Sequence, residues 1–368
     1  MKAKVVKYLE KLQLRPTVMP AGASCNLSCK YCYCHNIRQS SPTLMKRSVL
    51  EATIRKFVEV YPRFISFCWH GGEPLMRGLQ FFEDAYRIEM KMKVSPDQII
   101  ENRMQTNATL VDSNCAEFLK SHDFKIGVSI DGPQWLNDLH RVDASGKESF
   151  KSAMKGIDNL RKLDIPFSAI FTITKGATGY AENLYRFMIE ENFTSSHFNP
   201  CFGENPFAIN PMEYAHFMNT LFDLWFEKDN AVFSIGFFDD ILRWLLGGTP
   251  SVCHLRNGCY RHVKVDYNGD LVPCDTFLGE NFVFGNILRQ DLSEIVTDKP
   301  YQLFTQAVTT PPKNCLDCKW LSLCHGGCSR YSFKGNLERY PSTMCEARKA
   351  MFSHIASVVD SKLIQRSV

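Results

Sequence analysis

The sequence predicts an α/β protein built on a parallel sheet and completed by a smaller cysteine-rich domain. Two observations carry that expectation. Residues 14–200 alternate six times between a short β-rich run and a longer helical pattern. Successive strand–helix units of this kind pack as a parallel sheet with helices outside, open or curved into a partial barrel. Beyond residue 250 the pattern changes, and eight of the fifteen cysteines fall there.

The expected strands are Leu14–Met19, Phe64–Trp69, Ile100–Thr106, Phe124–Ile130, Phe167–Thr174 and Thr194–Asn199, each a short run rich in β-branched and aromatic residues. The expected helices between them include Leu44–Tyr61, Leu79–Lys93, Asp112–Ser121, Phe150–Leu163 and Ala181–Glu191. In the first of these, Val49, Ala52, Ile54, Phe57 and Val58 fall roughly on one face. Residues 211–247 read as two further helices closed by Gly247-Gly248. A hairpin follows, His262–Tyr267 and Leu271–Cys274 around the turn Asn268-Gly269. The domain boundary is expected within 235–250, with residues 1–235 as the barrel and 236–368 as the cysteine-rich domain.

Charge is nearly balanced, 43 basic against 39 acidic residues, for a net +4. Nothing in that balance points to nucleic acid. No apolar run reaches the length of a membrane span. The opening MKAKVVKYLEKLQL sets Lys and Glu among its apolar positions, unlike a signal peptide. A cytoplasmic chain with no membrane or nucleic-acid partner is therefore expected. Such a chain rarely keeps disulfides, so clustered cysteines point to metal or iron–sulfur ligation.

Cys25, Cys29 and Cys32 stand in C-x3-C-x2-C spacing, with Tyr31 just before the last. Three thiolates on one tight loop can hold three irons of a [4Fe–4S] cluster and leave the fourth without a protein ligand. An open iron can bind a substrate or cofactor, by the logic of any open metal site. A zinc site completed by Cys34 or His35 is the alternative. Further on, Cys259, Gly269 and Cys274 fit C-x9-G-x4-C, and Cys315, Cys318, Cys324 and Cys328 fit C-x2-C-x5-C-x3-C. With Cys345 and Cys253 these make eight thiols, enough for two fully ligated [4Fe–4S] clusters. A zinc ribbon around CLDC and CHGGC is the alternative, and it leaves the other thiols idle. Cys68 and Cys115 read as small core residues, while Cys34 and Cys201 fall at loop or strand ends.

The C-x3-C-x2-C loop resembles the signature of the radical S-adenosylmethionine (SAM) superfamily, and residues 15–200 resemble its partial (β/α)6 TIM-type barrel. The resemblance implies that the open iron chelates SAM, that SAM is cleaved to a 5′-deoxyadenosyl radical, and that this radical takes a hydrogen atom from the substrate. Gly71-Gly72-Glu73-Pro74 is similar to the family's GGEP motif, which implies that Glu73 meets the SAM ammonium while the glycines let backbone approach the ligand. Gln105-Thr106-Asn107, Ser129 and Arg141 follow the next strands in order. Asn107 joins the implied cofactor-binding set, and Ser129 and Arg141 are implied to hold the ribose and carboxylate region of SAM. The C-terminal cysteines resemble the SPASM domain of peptide- and protein-modifying radical SAM enzymes. That likeness implies one auxiliary cluster on Cys253, Cys259, Cys274 and Cys328 and another on Cys315, Cys318, Cys324 and Cys345, three [4Fe–4S] clusters in all.

SPASM domains imply a precursor peptide or protein as substrate and a flavodoxin- or ferredoxin-type electron donor. Two groups are similar: maturases that crosslink short ribosomal peptides into cyclophanes, and anaerobic sulfatase maturases that oxidise Ser or Cys to formylglycine. Asp275 stands where the sulfatase maturases carry a catalytic base, suited to accept a proton during radical oxidation. His70 stands where those enzymes have Gln, and Cys34 where they have Tyr. WHGGEP and LHRVDASGKESF look more like the peptide maturases. The sequence expectation is accordingly a crosslinking peptide maturase, with the sulfatase maturase as the alternative. A non-catalytic iron–sulfur electron carrier is the reading of another class, and the open iron argues against it.

Overall fold

Trp69 ends a strand whose Ile65, Phe67 and Trp69 face the core while Ser66 and Cys68 are only half-buried, the period-2 pattern of a pleated strand. In the computed structural model, which describes residues 2–34, 43–203, 205–228, 233–274, 282–333 and 339–366, that alternation recurs along a parallel strand–helix series. In chain order the elements are α1 (Lys2–Leu12), β1 (Arg15–Val18), α2 (Arg47–Val60), β2 (Phe64–Trp69), α3 (Leu79–Met92), β3 (Ile99–Thr106), α4 (Ser113–Ser121), β4 (Lys125–Ser129), α5 (Gln134–Asn137), α6 (Phe150–Lys162), β5 (Phe167–Ile173), α7 (Ala181–Glu190) and β6 (Ser195–Pro200). There follow α8 (Pro211–Lys228), β7 (Ser234–Ile235), α9 (Gly236–Leu245), β8 (His262–Val265), β9 (Asp270–Val272), β10 (Gly285–Asn286), α10 (Leu292–Thr297), α11 (Lys299–Thr309), α12 (Leu321–Cys324) and α13 (Cys345–Arg366).

The six expected strands all form, each within a residue or two of its predicted ends. Helix α2 starts at Arg47 rather than Leu44, and its Val49, Leu50, Ile54, Phe57 and Val58 are buried. The hairpin pairs β8 with β9, Lys264 opposite Val272. Helices α1 and α13 were not anticipated. In α13 charge runs through the apolar pattern and blurs the helical period.

The chain divides into two compact units interleaved along the sequence. The first comprises residues 1–129, 141–167 and 260–306; the second comprises 130–140, 168–259 and 307–368. In the first unit β1, β2, β3 and β4 pair in parallel, and β1 also pairs in parallel with β8. Beyond β8 the pairing turns antiparallel through β9 to β10. In the second unit β5, β6 and β7 form a parallel set.

Register places the functional segments. Val18 is opposite Trp69, Trp69 opposite Met104, and Thr106 opposite Val128. The segments after β1, β2, β3 and β4 therefore leave the sheet at the same C-terminal edge, where barrels of this kind place their chemistry. Behind that edge, Trp69 Nε1 donates to Asn102 Oδ1 at 2.7 Å, and Asn102 Nδ2 donates to Glu89 Oε2 at 2.7 Å. Glu89 lies on α3 without exposed surface, and burial pushes its carboxyl up to about 8. Among the described residues no helix is long and apolar enough to cross a membrane.

Candidate functional site

The segment between β1 and the cysteine loop is held by backbone. Gly72 N–H donates to Gly22 O at 2.8 Å, and Glu73 N–H donates to Ser24 O at 2.9 Å. A Cβ on Gly72 would sit 2.1 Å from Ser24 O, so any larger residue would drive these two segments apart. Gly71 adds a positive φ of 121°, which L residues avoid. The expectation that these glycines admit a ligand is thus joined by a nearer reason. They admit the chain's own segment just ahead of Cys25.

The loop itself is tied to the end of β3. Asn107 Nδ2 donates to Asn26 Oδ1 at 3.0 Å and lies 3.7 Å from Cys25 Sγ. Asn26 Nδ2 donates to Thr109 Oγ1 at 2.7 Å, and Thr109 Oγ1 donates back to Asn107 Oδ1 at 2.7 Å. Leu27 N–H also points at Cys25 Sγ, 3.3 Å away. A turn from Cys32 N–H to Cys29 O at 2.9 Å closes the loop. Cys25, Cys29 and Cys32 are all part-exposed, as thiols meant for a group bound from outside would be. Asn26 and Thr109 were missed from sequence; the ATL following Asn107 was the available signal.

Glu73 has no exposed surface. Its Oε1 accepts from Thr106 Oγ1 at 2.8 Å and from Leu75 N–H at 3.1 Å, and its Oε2 accepts from Asn107 N–H at 2.8 Å. Burial pushes this carboxyl up to about 7 against those three donors. A carboxylate offers about four acceptor sites, and three of them are taken by these donors. Pro74 opens a short helical turn after it. His70 Nδ1 accepts Gly71 N–H at 2.7 Å. Ser129 Oγ accepts from Gln105 Nε2 at 2.8 Å, for which Gly127 makes room, since a Cβ there would lie 2.0 Å from Gln105 Oε1. The Arg141 guanidinium lies 5.7 Å from the Tyr31 ring centroid, a cation–π distance. Cys25, Cys29, Cys32, Gly71, Gly72, Glu73, Pro74, Asn107, Ser129 and Arg141 thus all belong to the first unit.

The second cysteine group lies in the second unit, apart from one member. Cys315, Cys318, Cys324 and Cys345 line one cavity together with Arg348 and Lys349. Four thiols and no carboxylate around one space is the donor set of an iron–sulfur cluster, and among the described residues no three ligating side chains stand close enough to hold a single metal ion. Cys328 is close enough to raise the thiol pKa of Cys253 and of Cys259, and Cys259 that of Cys253. Burial, then this repulsion, pushes Cys253 and Cys259 up to about 12, and a bound metal would have to displace those protons. Cys274 follows β9 in the first unit, half-buried. Asp275, the expected base, lies outside the described residues.

Asp240 was also missed. It is 1% exposed and accepts from Ser251 N–H, Ser251 Oγ and Val252 N–H, the last at 2.6 Å, with Arg243 paired to its Oδ1. One buried carboxylate thereby holds the residues just before Cys253. Among the cysteines read as spare, Cys115 is buried and its thiol is pushed up to about 12, as a core residue should be. Cys201 is buried too and pushed up to about 11. Such thiols are protonated and poor nucleophiles. Cys34 is buried, and Cys68 half-buried.

Fold and site together define a radical SAM enzyme with an auxiliary iron–sulfur domain. The family model of the radical SAM superfamily matches residues 19–188, and that of the SPASM iron–sulfur cluster-binding domain matches 253–319. The chain is 30% identical to the serine-type anaerobic sulfatase-maturating enzyme of Bacteroides thetaiotaomicron over 373 residues, covering 93% of this chain and 89% of that one. It is 29% identical to the cysteine-type anaerobic sulfatase-maturating enzyme of Clostridium perfringens over 352 residues, covering 92% and 95%. A solved structure of native anSMEcpe with bound AdoMet and Cp18Cys peptide superposes with a TM-score of 0.88 at 28% identity, over 95% of this chain and 99% of that one. The chain belongs to the radical SAM superfamily, in the SPASM subgroup with the anaerobic sulfatase-maturating enzymes. It is an oxidoreductase acting on a peptide or protein side chain, and its cofactors are [4Fe–4S] clusters and SAM.

Proposed function

We propose that this enzyme oxidises a Cys or Ser side chain of a protein substrate to formylglycine, as an anaerobic sulfatase maturase. The observation that supports this most is near end-to-end similarity to both the cysteine-type and the serine-type maturase, barrel and auxiliary domain included. The crosslinking expectation rested on His70, Cys34 and two short motifs. The relatives favour the formylglycine alternative instead. His70 for Gln and Cys34 for Tyr then become differences within the maturase plan.

When bound, the cluster and SAM supply the radical that removes one hydrogen atom from the substrate carbon. The chain's own parts in that reaction are positioning and exclusion. Cys25, Cys29 and Cys32 would hold the cluster. The Glu73 carboxylate, Asn107, Ser129 and Arg141 would orient SAM at the C-terminal edge of β2, β3 and β4. Asp275 would accept the proton released as the substrate radical gives its electron to an auxiliary cluster. The barrel assignment to residues 1–235, the auxiliary assignment to 236–368 and the count of three clusters belong to this same reading. A low-potential electron donor of flavodoxin or ferredoxin type would reduce the SAM-binding cluster.

The test is anaerobic incubation of the reconstituted enzyme with SAM, a reductant and a sulfatase-derived peptide bearing Cys or Ser. A hydrazide-reactive product with an intact series of backbone fragments, formed alongside 5′-deoxyadenosine, is the expected result. A product that lacks fragments inside a bridged segment and gives no hydrazide adduct overturns the reading in favour of a crosslink.

A further inference from the structure

Two arginines, Arg348 buried and Arg339 half-buried, flank the turn that joins the two auxiliary thiol groups. The turn is His325-Gly326-Gly327, between Cys324 and Cys328, and its φ angles are 49°, 82° and 81°. Three successive left-handed residues reverse the chain sharply. The absence of Cβ atoms also lets the arginines in. A Cβ on Gly326 would lie 3.0 Å from Arg339 Nη2, and one on Gly327 would lie 3.3 Å from Arg348 Cζ.

Arg348 stands one turn into α13 after Cys345 and is 6% exposed. It lines the cavity of Cys315, Cys318, Cys324 and Cys345, with Nη1 3.8 Å from Cys324 Sγ. It also lies within electrostatic reach of Cys253, in the other group. Arg339 donates from Nη2 to His325 O at 3.1 Å and Gly327 O at 3.0 Å, and from Nη1 to Val308 O at 2.9 Å and Thr310 O at 3.1 Å. The thiols of Cys259 and Cys328 on one side, and of Cys315 and Cys324 on the other, act on its charge.

We propose that Arg339 and Arg348 form a cationic bridge between the two auxiliary thiolate sets, holding the turn that joins them and raising the reduction potential of the auxiliary clusters. This rests on the reading of these cysteines as cluster ligands. A fully thiolate-ligated [4Fe–4S] cluster is a net anion, and reduction adds another negative charge. Net charge and hydrogen bonds to sulfur are what set such potentials. A guanidinium stays charged when buried, and across a low-dielectric gap its attraction is strong. Arg348, with one N–H on sulfur, would tune by both routes. Arg339, whose Nη1 and Nη2 are taken by four carbonyls, would tune by charge and fix the turn.

The test is a reductive titration of the anaerobically reconstituted full-length protein, read by EPR with and without SAM. The signal that moves on adding SAM marks the Cys25–Cys32 cluster, and those that do not move mark the auxiliary clusters. Arg348→Met is expected to keep its iron and to shift an auxiliary potential downward by at least a tenfold change in the oxidised-to-reduced ratio, 59 mV for one electron. Arg348→Lys should shift it by less than half as much. Should Arg348→Met lose iron, Arg348→Lys against Arg348→Gln decides on the same readout. Equal auxiliary potentials in the charged and neutral variants overturn the bridge. Absence of any SAM-insensitive signal in the wild type overturns the ligand assignment itself, and the bridge with it.

Discussion

Glu73 accepts the backbone N–H of Asn107 at 2.8 Å, so the residue expected to meet SAM also ties the turn after β2 to the end of β3. Burial raises its carboxyl to about 7 from an ordinary 4.5. The folded state therefore binds the proton more tightly than the unfolded chain. This contribution to stability is complete below pH 4.5 and is lost as pH rises to about 7. Urea unfolding of the apoprotein across that window should show the decline, and Glu73→Gln should flatten it. Glu73→Ala should cost about 1–3 kcal/mol by leaving the Thr106 and Asn107 donors unpaired.

Glu89 makes the same argument away from the site. Its pKa of about 8 puts a carboxyl in the core whose ionisation weakens the fold between pH 4.5 and 8. Its Oε1 is buried without a hydrogen-bond partner among the described residues. Glu89→Gln keeps an acceptor for Asn102 and removes the charge. It should raise Tm at pH 9 by the equivalent of on the order of a few kcal/mol and leave Tm at pH 5 nearly unchanged.

Iron content tests the ligand assignment. The reconstituted protein should bind about twelve irons as three four-iron clusters. Replacing Cys25, Cys29 and Cys32 together by Ala should remove about a third of that iron and abolish SAM cleavage. Stoichiometric zinc with little iron would contradict the assignment.

Asp240 should matter to the auxiliary domain without touching a cluster. Asp240→Ala leaves the Ser251 and Val252 donors and the half-exposed Arg243 without their shared acceptor, a loss of about 1–3 kcal/mol. Thermal melting should show it, together with the loss of about four irons as the segment before Cys253 loosens. Retained iron with a normal melt would reduce Asp240 to an ordinary helix residue.

Asp275 is tested by separating two steps. If it accepts the proton, Asp275→Asn should still cleave SAM while modifying substrate at least about a hundredfold more slowly. Unchanged product formation would remove it from the reaction.

The strand–helix order of residues 14–200, the three cysteine groups and the strand-end motifs were legible in the sequence, because each is a local pattern. Apolar alternation writes a strand into a few residues, and metal-binding cysteines on one loop must stand at fixed short spacings. What Gly72, Glu73 and Asn107 hold was not legible, because it depends on which strand ends lie side by side. Parallel register brings residue 73 against residues 106 and 107, and no spacing in the sequence encodes that. The placement of Arg339 and Arg348 was not legible for the same reason. Only the left-handed turn at Gly326-Gly327 and the docking of α13 bring them between the thiols. The sequence by itself determined which chemistry the chain carries; the tertiary structure decided which side chains surround it, since burial and hydrogen bonding arise from contacts between residues far apart in the chain.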